Sequence, residues 1–105
     1  MSFVATRDFI EFVQNDLKRI VYDLKGFLDV YYPMLKATWS PENEHDFIVG
    51  WIIGSKEQEY STAFYTKYGQ RMYHELIFEV QREINKHKED LSNAVTEYLN
   101  KKESA

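Results

Sequence analysis

Each of the three histidines in this 105-residue chain lies close in sequence to a carboxylate, and the spacing decides what each pair could do. Glu42-x-x-His45 has the spacing of di-iron carboxylate bundles, where a Glu and a His three apart on one helix both reach a metal. Those centres take two such motifs and two more Glu from four helices. Here the motif stands alone, at the start of a helix whose positive end already accounts for Glu42, so no metal is expected there. His74 and Glu75 invite an acid–base reading, but neighbours one apart on a helix point in different directions, and no nucleophile accompanies them. Glu83 and His87 do share a face. His87 also sits on an apolar ladder, where an imidazole could bind a metal, move a proton or respond to pH. Its expected role is that of a core or interface histidine whose ring nitrogens find a carboxylate, from Glu83 or Asp90, or a backbone carbonyl.

Two further groupings bear on recognition. Tyr60, Phe64, Tyr65, Tyr68, Met72 and Tyr73 gather around Gly69. Stacking on single-stranded nucleic acid uses such side chains beside a cationic groove, and only Lys67 and Arg71 are near in sequence. Core packing with tyrosine hydroxyls at the rim is expected, with a protein-binding patch as the next reading. Gly50-Trp51-Ile52-Ile53-Gly54 places two glycines on one helix face, a spacing that lets a second backbone approach closely. It predicts a packing groove, within the bundle or across a dimer. The chain has no glycine-rich phosphate loop, no Gly-x-Ser-x-Gly elbow, no His-Glu-x-x-His and no EF-hand loop. No residue pattern carries a resemblance to a known family.

Composition narrows the classes. There is no cysteine, so disulfides and thiolate zinc sites are ruled out. The formal net charge is −4 and no third of the chain is net basic, whereas duplex binding draws on clustered Lys and Arg to neutralise phosphates. Nucleic acid is therefore not an expected partner. The longest apolar run, Phe47 to Ile53, falls far short of the roughly 20 residues that span a bilayer. Met1-Ser2-Phe3-Val4 lacks the basic and long apolar regions of a secretory leader. A soluble, cytoplasmic protein with no membrane association is the expectation.

The elements that would position these groups are helices. Ile10, Val13, Leu17, Ile20, Leu24, Phe27 and Tyr31 step three then four residues, as do Ile77, Val80, Ile84, His87, Leu91, Ala94 and Tyr98. That spacing lines one stripe of an α-helix. Helix 1 is expected after an N-cap at Thr6 and should stop before Pro33, with Gly26 as a close-packing point for a neighbouring helix. Tyr32 to Ser40 reads as a loop folded back over the bundle end, since it holds Tyr32, Met34, Leu35 and Trp39. Ser40 as N-cap with Pro41 in the first turn starts the second helix. It either runs to Tyr68 or breaks at Gly54, and the continuous form is favoured. The apolar-free stretch Ser55 to Glu59 suggests exposure. Gly69 ends that helix, and the last runs from about Gln70 to Asn100, with Glu97 and Lys101 as a four-apart pair.

The expected fold is all-α: one domain over residues 1–105, an elongated up-down bundle of three long helices, or four if Gly54 breaks the second. Thin rods leave much surface, so a homodimer is expected. The functional expectation is a non-catalytic interaction or regulatory module without a cofactor, acting on itself or on another protein. Its surface or packing residues would include Gly50, Trp51, Gly54, Tyr60, Phe64, Tyr68 and His87. A helical metal-binding protein or enzyme using the Glu/His pairs is the alternative, and a nucleic-acid-associated regulator a third.

Overall fold

The computed structural model describes residues 3–104, which form four helices: α1 (Phe3–Tyr22), α2 (Leu24–Trp39), α3 (Glu44–Tyr68) and α4 (His74–Ser104). Residues 1 and 2, part of the segment read for a leader, lie outside the described residues. The all-α expectation holds, but the extra helix arises elsewhere than expected. α3 runs through Gly54 without a break, whereas the amino-terminal rod divides at Asp23. There the backbone bonds continue, from Asp23 N to Arg19 O (2.9 Å) and from Phe27 N to Asp23 O (3.2 Å). Asp23 itself leaves helical geometry at φ −115°, ψ 43°. Gly26 suits this joint: a Cβ there would lie 2.9 Å from both Asp23 carboxylate oxygens. Its close neighbour is thus that side chain instead of another helix.

Pro33 does not stop the rod. It lies inside α2, an interior position that usually costs about 3 kcal/mol through the missing N–H and ring crowding. The turns on either side are held by burial: Leu28 and Leu35 are almost wholly inaccessible, each such side chain contributing roughly 1.5–3 kcal/mol. Tyr32 adds a hydroxyl bond to Glu44 Oε2 (3.0 Å) and an edge contact with Tyr98. The predicted loop is therefore helix as far as Trp39. Ser40 then serves as the C-cap of α2 and not as the N-cap of α3. It takes φ 42°, and its N–H and hydroxyl both donate to Lys36 O. Asn43 caps α3 instead, its Oδ1 accepting from Asp46 N at 3.0 Å. Thr6 lies within α1 and bonds the Tyr73 hydroxyl (2.7 Å). Gly69 does end α3, at φ 71°, and α4 starts four residues later than expected and continues to Ser104.

The arrangement is up-down-up. Phe9 near the start of α1 meets Phe64 near the end of α3 at 5.1 Å, while Tyr32 in α2 meets Tyr98 near the end of α4. α4 packs against each of the other three helices, and the body measures 50 × 24 × 19 Å. Its core falls into two clusters along the long axis. One joins Phe9, Val13, Leu17, Tyr60, Phe64, Leu76, Val80 and Ile84. The other joins Ile20, Leu24, Leu28, Leu35, Ile48, Val49, Ile52, Leu91, Val95 and Tyr98. The predicted ladders lie near these faces with local shifts: Leu76 and Val95 are buried more deeply than their neighbours Ile77 and Ala94. Beyond the Asp23 joint the buried stripe becomes Leu24, Leu28 and Leu35, leaving Tyr31 exposed.

Candidate functional site

Three groupings of side chains could do more than fill space. The first is apolar and outward-facing, along the groove between α2 and α3. Phe27, Tyr31 and Trp51 form a triangle with ring centroids 4.8, 6.0 and 5.4 Å apart. Phe47, one turn before Trp51 on α3, packs against Trp39 at 5.7 Å. Tyr31, Met34 and Trp39 remain 39%, 44% and 52% exposed, more than packing within one chain requires of side chains this large. Gly50 and Gly54 border this strip. Both are exposed, with open space where a Cβ would stand, so the close approach expected of them is not made within this chain.

The second is a chain of polar contacts between the start of α3 and the middle of α4. His45 Nδ1 lies 2.9 Å from Asp46 Oδ1, and His45 Nε2 lies 3.0 Å from Ser92 Oγ and 3.1 Å from Ser92 O. The hydrogen bond to Asp46 raises the imidazole pKa above its ordinary value. Partial burial opposes the rise and the Ser92 carbonyl adds to it. Acid, imidazole and hydroxyl stand in the order of a nucleophilic triad. The surroundings do not suit acyl transfer. Ser92 is in mid-helix, where backbone N–H groups are spent on the helix itself and cannot stabilise an oxyanion. Asp46 is largely in solvent. The cluster borders an open cleft of about 830 Å³ whose lining includes Tyr32, Lys36, Glu44, Thr96 and Lys102. Lys36 and Lys102 place their ammonium groups 5.9 and 5.6 Å from the Tyr32 ring centre. Glu42 lies in the same cleft, yet both His45 nitrogens are engaged elsewhere. Among the described residues no three His, Asp or Glu converge as a metal site would need.

The third is buried. Asp16 accepts from Lys56 Nζ (2.9 Å), the Tyr60 hydroxyl (2.8 Å) and Arg19. Burial alone would push its carboxyl pKa up. Hydrogen bonds from Lys56 and Tyr60, the Lys56 charge and the Arg19 bond outweigh that and hold it low. Tyr60 is driven the other way, chiefly by burial and then by Asp16. Every buried polar side-chain atom among the described residues has a partner. This network fastens α1 to α3, and Lys56 also lines a small gap shared with His87.

The sequence-predicted residues distribute as follows. Tyr60 and Phe64 are fully buried and Tyr68 and Met72 pack beside them, while Tyr65 and Tyr73 are exposed. The Tyr60 hydroxyl points inward to Asp16, correcting the expectation of a rim position. Trp51 belongs to the aromatic strip. His87 finds a carbonyl, Glu83 O at 2.9 Å, and lines a small gap with Leu17, Ile52 and Ile84 inside the chain. Lys56 lines the same gap but is held by Asp16 and Glu59, and His74 is exposed at the first position of α4. Sequence reasoning missed Asp16, Lys56 and Ser92. Lys56 carried a signal, since Ile48, Ile52, Lys56, Tyr60 and Phe64 recur every four residues. Its burial is the exception in Ser55 to Glu59, where Glu57, Gln58 and Glu59 are exposed as expected and Ser55 is half-buried. Ser92 carried none, being 47 residues from His45. Compared with family models, curated proteins and solved structures, the chain matches none of them.

Proposed function

We propose that this protein is a non-catalytic interaction module that pairs with a second copy of itself through the aromatic strip between α2 and α3. The observation that carries the reading is the strip: Tyr31, Met34, Trp39, Phe47 and Trp51 line one face, and none of them is charged. Two chains of net charge −4 can meet there without setting like charges against each other. Surface area supports a second copy as the occupant. The chain exposes 7051 Å², against about 6200 Å² for a compact monomer of 12.6 kDa. The excess, roughly 850 Å², matches the roughly 800 Å² that each partner contributes to a standard interface. The radius of gyration of 15.2 Å likewise exceeds the roughly 13 Å of a globule of this length. A two-fold pairing would bring Gly50 and Gly54 into use, because bare backbone on the border of the strip lets helices draw close.

Sedimentation velocity across micromolar concentrations tests the reading. The expected result is a species of twice 12.6 kDa that dissociates at least tenfold more readily in Met34→Glu, with an unchanged helical spectrum. Met34 is half-exposed, so the substitution leaves the core intact. A monomer at all concentrations, or a dimer indifferent to Met34→Glu, overturns it.

A further inference from the structure

The contacts of His45 ask for more protons than a neutral imidazole holds. Nδ1 faces a carboxylate oxygen of Asp46 and Nε2 faces the main-chain carbonyl of Ser92. Neither acceptor has a proton to give, so both are served at once only by the imidazolium. The Ser92 hydroxyl, however, lies 3.0 Å from the same Nε2 and can donate to it when the ring is neutral. The Ser92 carbonyl is not then orphaned, because the Thr96 hydroxyl donates to it at 3.1 Å. We propose that His45 is a two-position proton latch that holds α3 to α4 in both protonation states, trading the Ser92 carbonyl for the Ser92 hydroxyl when it loses its proton.

Of the other charged groups lining the cleft beside the ring, Glu44, Lys36 and Lys102 have partners of their own. On the α3 side, Glu44 takes the Tyr32 hydroxyl and faces Lys36 from α2 at 4.0 Å, and Glu42 sits in the turn before it. From α4, Ser92 contacts the ring, Thr96 lines the same cleft, and Lys102 stands over the Tyr32 and Tyr98 rings. Among the described residues, Asp46 is the acid in direct contact with the ring. In the neutral state Asp46 keeps the remaining proton on Nδ1. That is the less common tautomer of a free imidazole, and it gives the latch a spectroscopic signature.

A pH titration of the whole, ¹⁵N-labelled protein by NMR, following the His45 ring nitrogens, tests this. Three results are expected: a midpoint above 6.5, the ordinary histidine value; a neutral ring protonated on Nδ1; and a lower midpoint in Asp46→Asn. Ser92→Ala removes the donor available to the neutral ring but keeps the carbonyl available to the charged one. Its midpoint should rise by roughly half a unit to one unit, the size of a single neutral hydrogen bond. Its melting temperature should fall further below the wild type at pH above the midpoint than below it. A neutral ring protonated on Nε2, or a midpoint unmoved by Ser92→Ala, overturns the latch.

Discussion

Asp16 and Lys56 are each about 5% exposed in the middle of a small bundle, where charge is expensive unless matched. Matching is close: the carboxylate takes three donors, and Lys56 reaches Glu59 as well. Removing one partner leaves the other charge short of compensation. Asp16→Asn should therefore cost about 3 kcal/mol, read as a shift in the urea midpoint. The figure sits at the low end of the range for such losses because Glu59 still holds Lys56. Adding Lys56→Met to Asp16→Asn removes the stranded ammonium and keeps an acceptor for Tyr60. The double variant should recover most of the loss; additive losses would show that the pair is not coupled. The same carboxylate dictates an acid limb. Its folded pKa is depressed, so its contribution is complete above the ordinary aspartate range and is lost as pH falls through the folded value. His45 runs the opposite way: its pKa is raised, so its charged-state contribution is complete below 6.5 and fades as pH climbs through the folded value.

At the scale of elements, α2 departs furthest from what local signals dictate. A helix carrying Pro33 at an exposed interior position gives up the bond its N–H would make to Asp29 O. Pro33→Ala restores it and should stabilise the protein by as much as about 3 kcal/mol, less the entropy that proline removes from the unfolded chain. No gain in the thermal midpoint would mean that the bond is not available there. Gly50→Ala and Gly54→Ala should each add about 1 kcal/mol to the folding stability of the single chain, since nothing within it occupies the space beside them. Both should weaken the proposed dimer, whose helices draw close over that bare backbone. The helices themselves were legible, because three-four spacing of apolar residues reports a buried stripe directly. Their punctuation was less so. Ser40-Pro41 and Asn43 are rival start signals of similar strength, and the choice fell to tertiary packing, which pulled Leu35 and Tyr32 inward and carried α2 on to Ser40. Asp23 gave no warning, since the joint depends on how two stripes meet α4. The candidate site was legible only in part: Trp51 and the two glycines were read from spacing. The strip around them needed α2 to be a helix, and the His45–Ser92 contact needed α3 laid against α4.

For the molecule as a whole, the consequence of two clusters strung along 50 Å is uneven stability. α4, about 46 Å long at the standard rise, runs through both clusters and couples them, as does Ile53, which packs against each. α2 belongs to one cluster only. It is further tied to α4 by the Tyr98 hydroxyl on Asp29 (3.1 Å), the Tyr32–Tyr98 ring contact and Lys102 over the Tyr32 ring. Burial and Asp29 together push that hydroxyl's pKa up to about 12, so the bond persists through the neutral range. α2 rests on Leu24, Leu28 and Leu35, on the Tyr98–Asp29 and Tyr32–Glu44 bonds and on half-exposed rings. It has no part in the second cluster and is hinged at Asp23, so it should open before the rest. Leu35→Ala should deepen the contrast, since truncating a buried leucine costs about 2–5 kcal/mol. Native-state hydrogen exchange is expected to give α2 amides an opening free energy below the global value, and to lower it further in Leu35→Ala. The amides of α1 and the first half of α4, which rest on Phe9, Val13, Leu76 and Val80, should lose less protection than those of α2. Equal losses at both ends would mean that α4 binds the clusters into one cooperative unit.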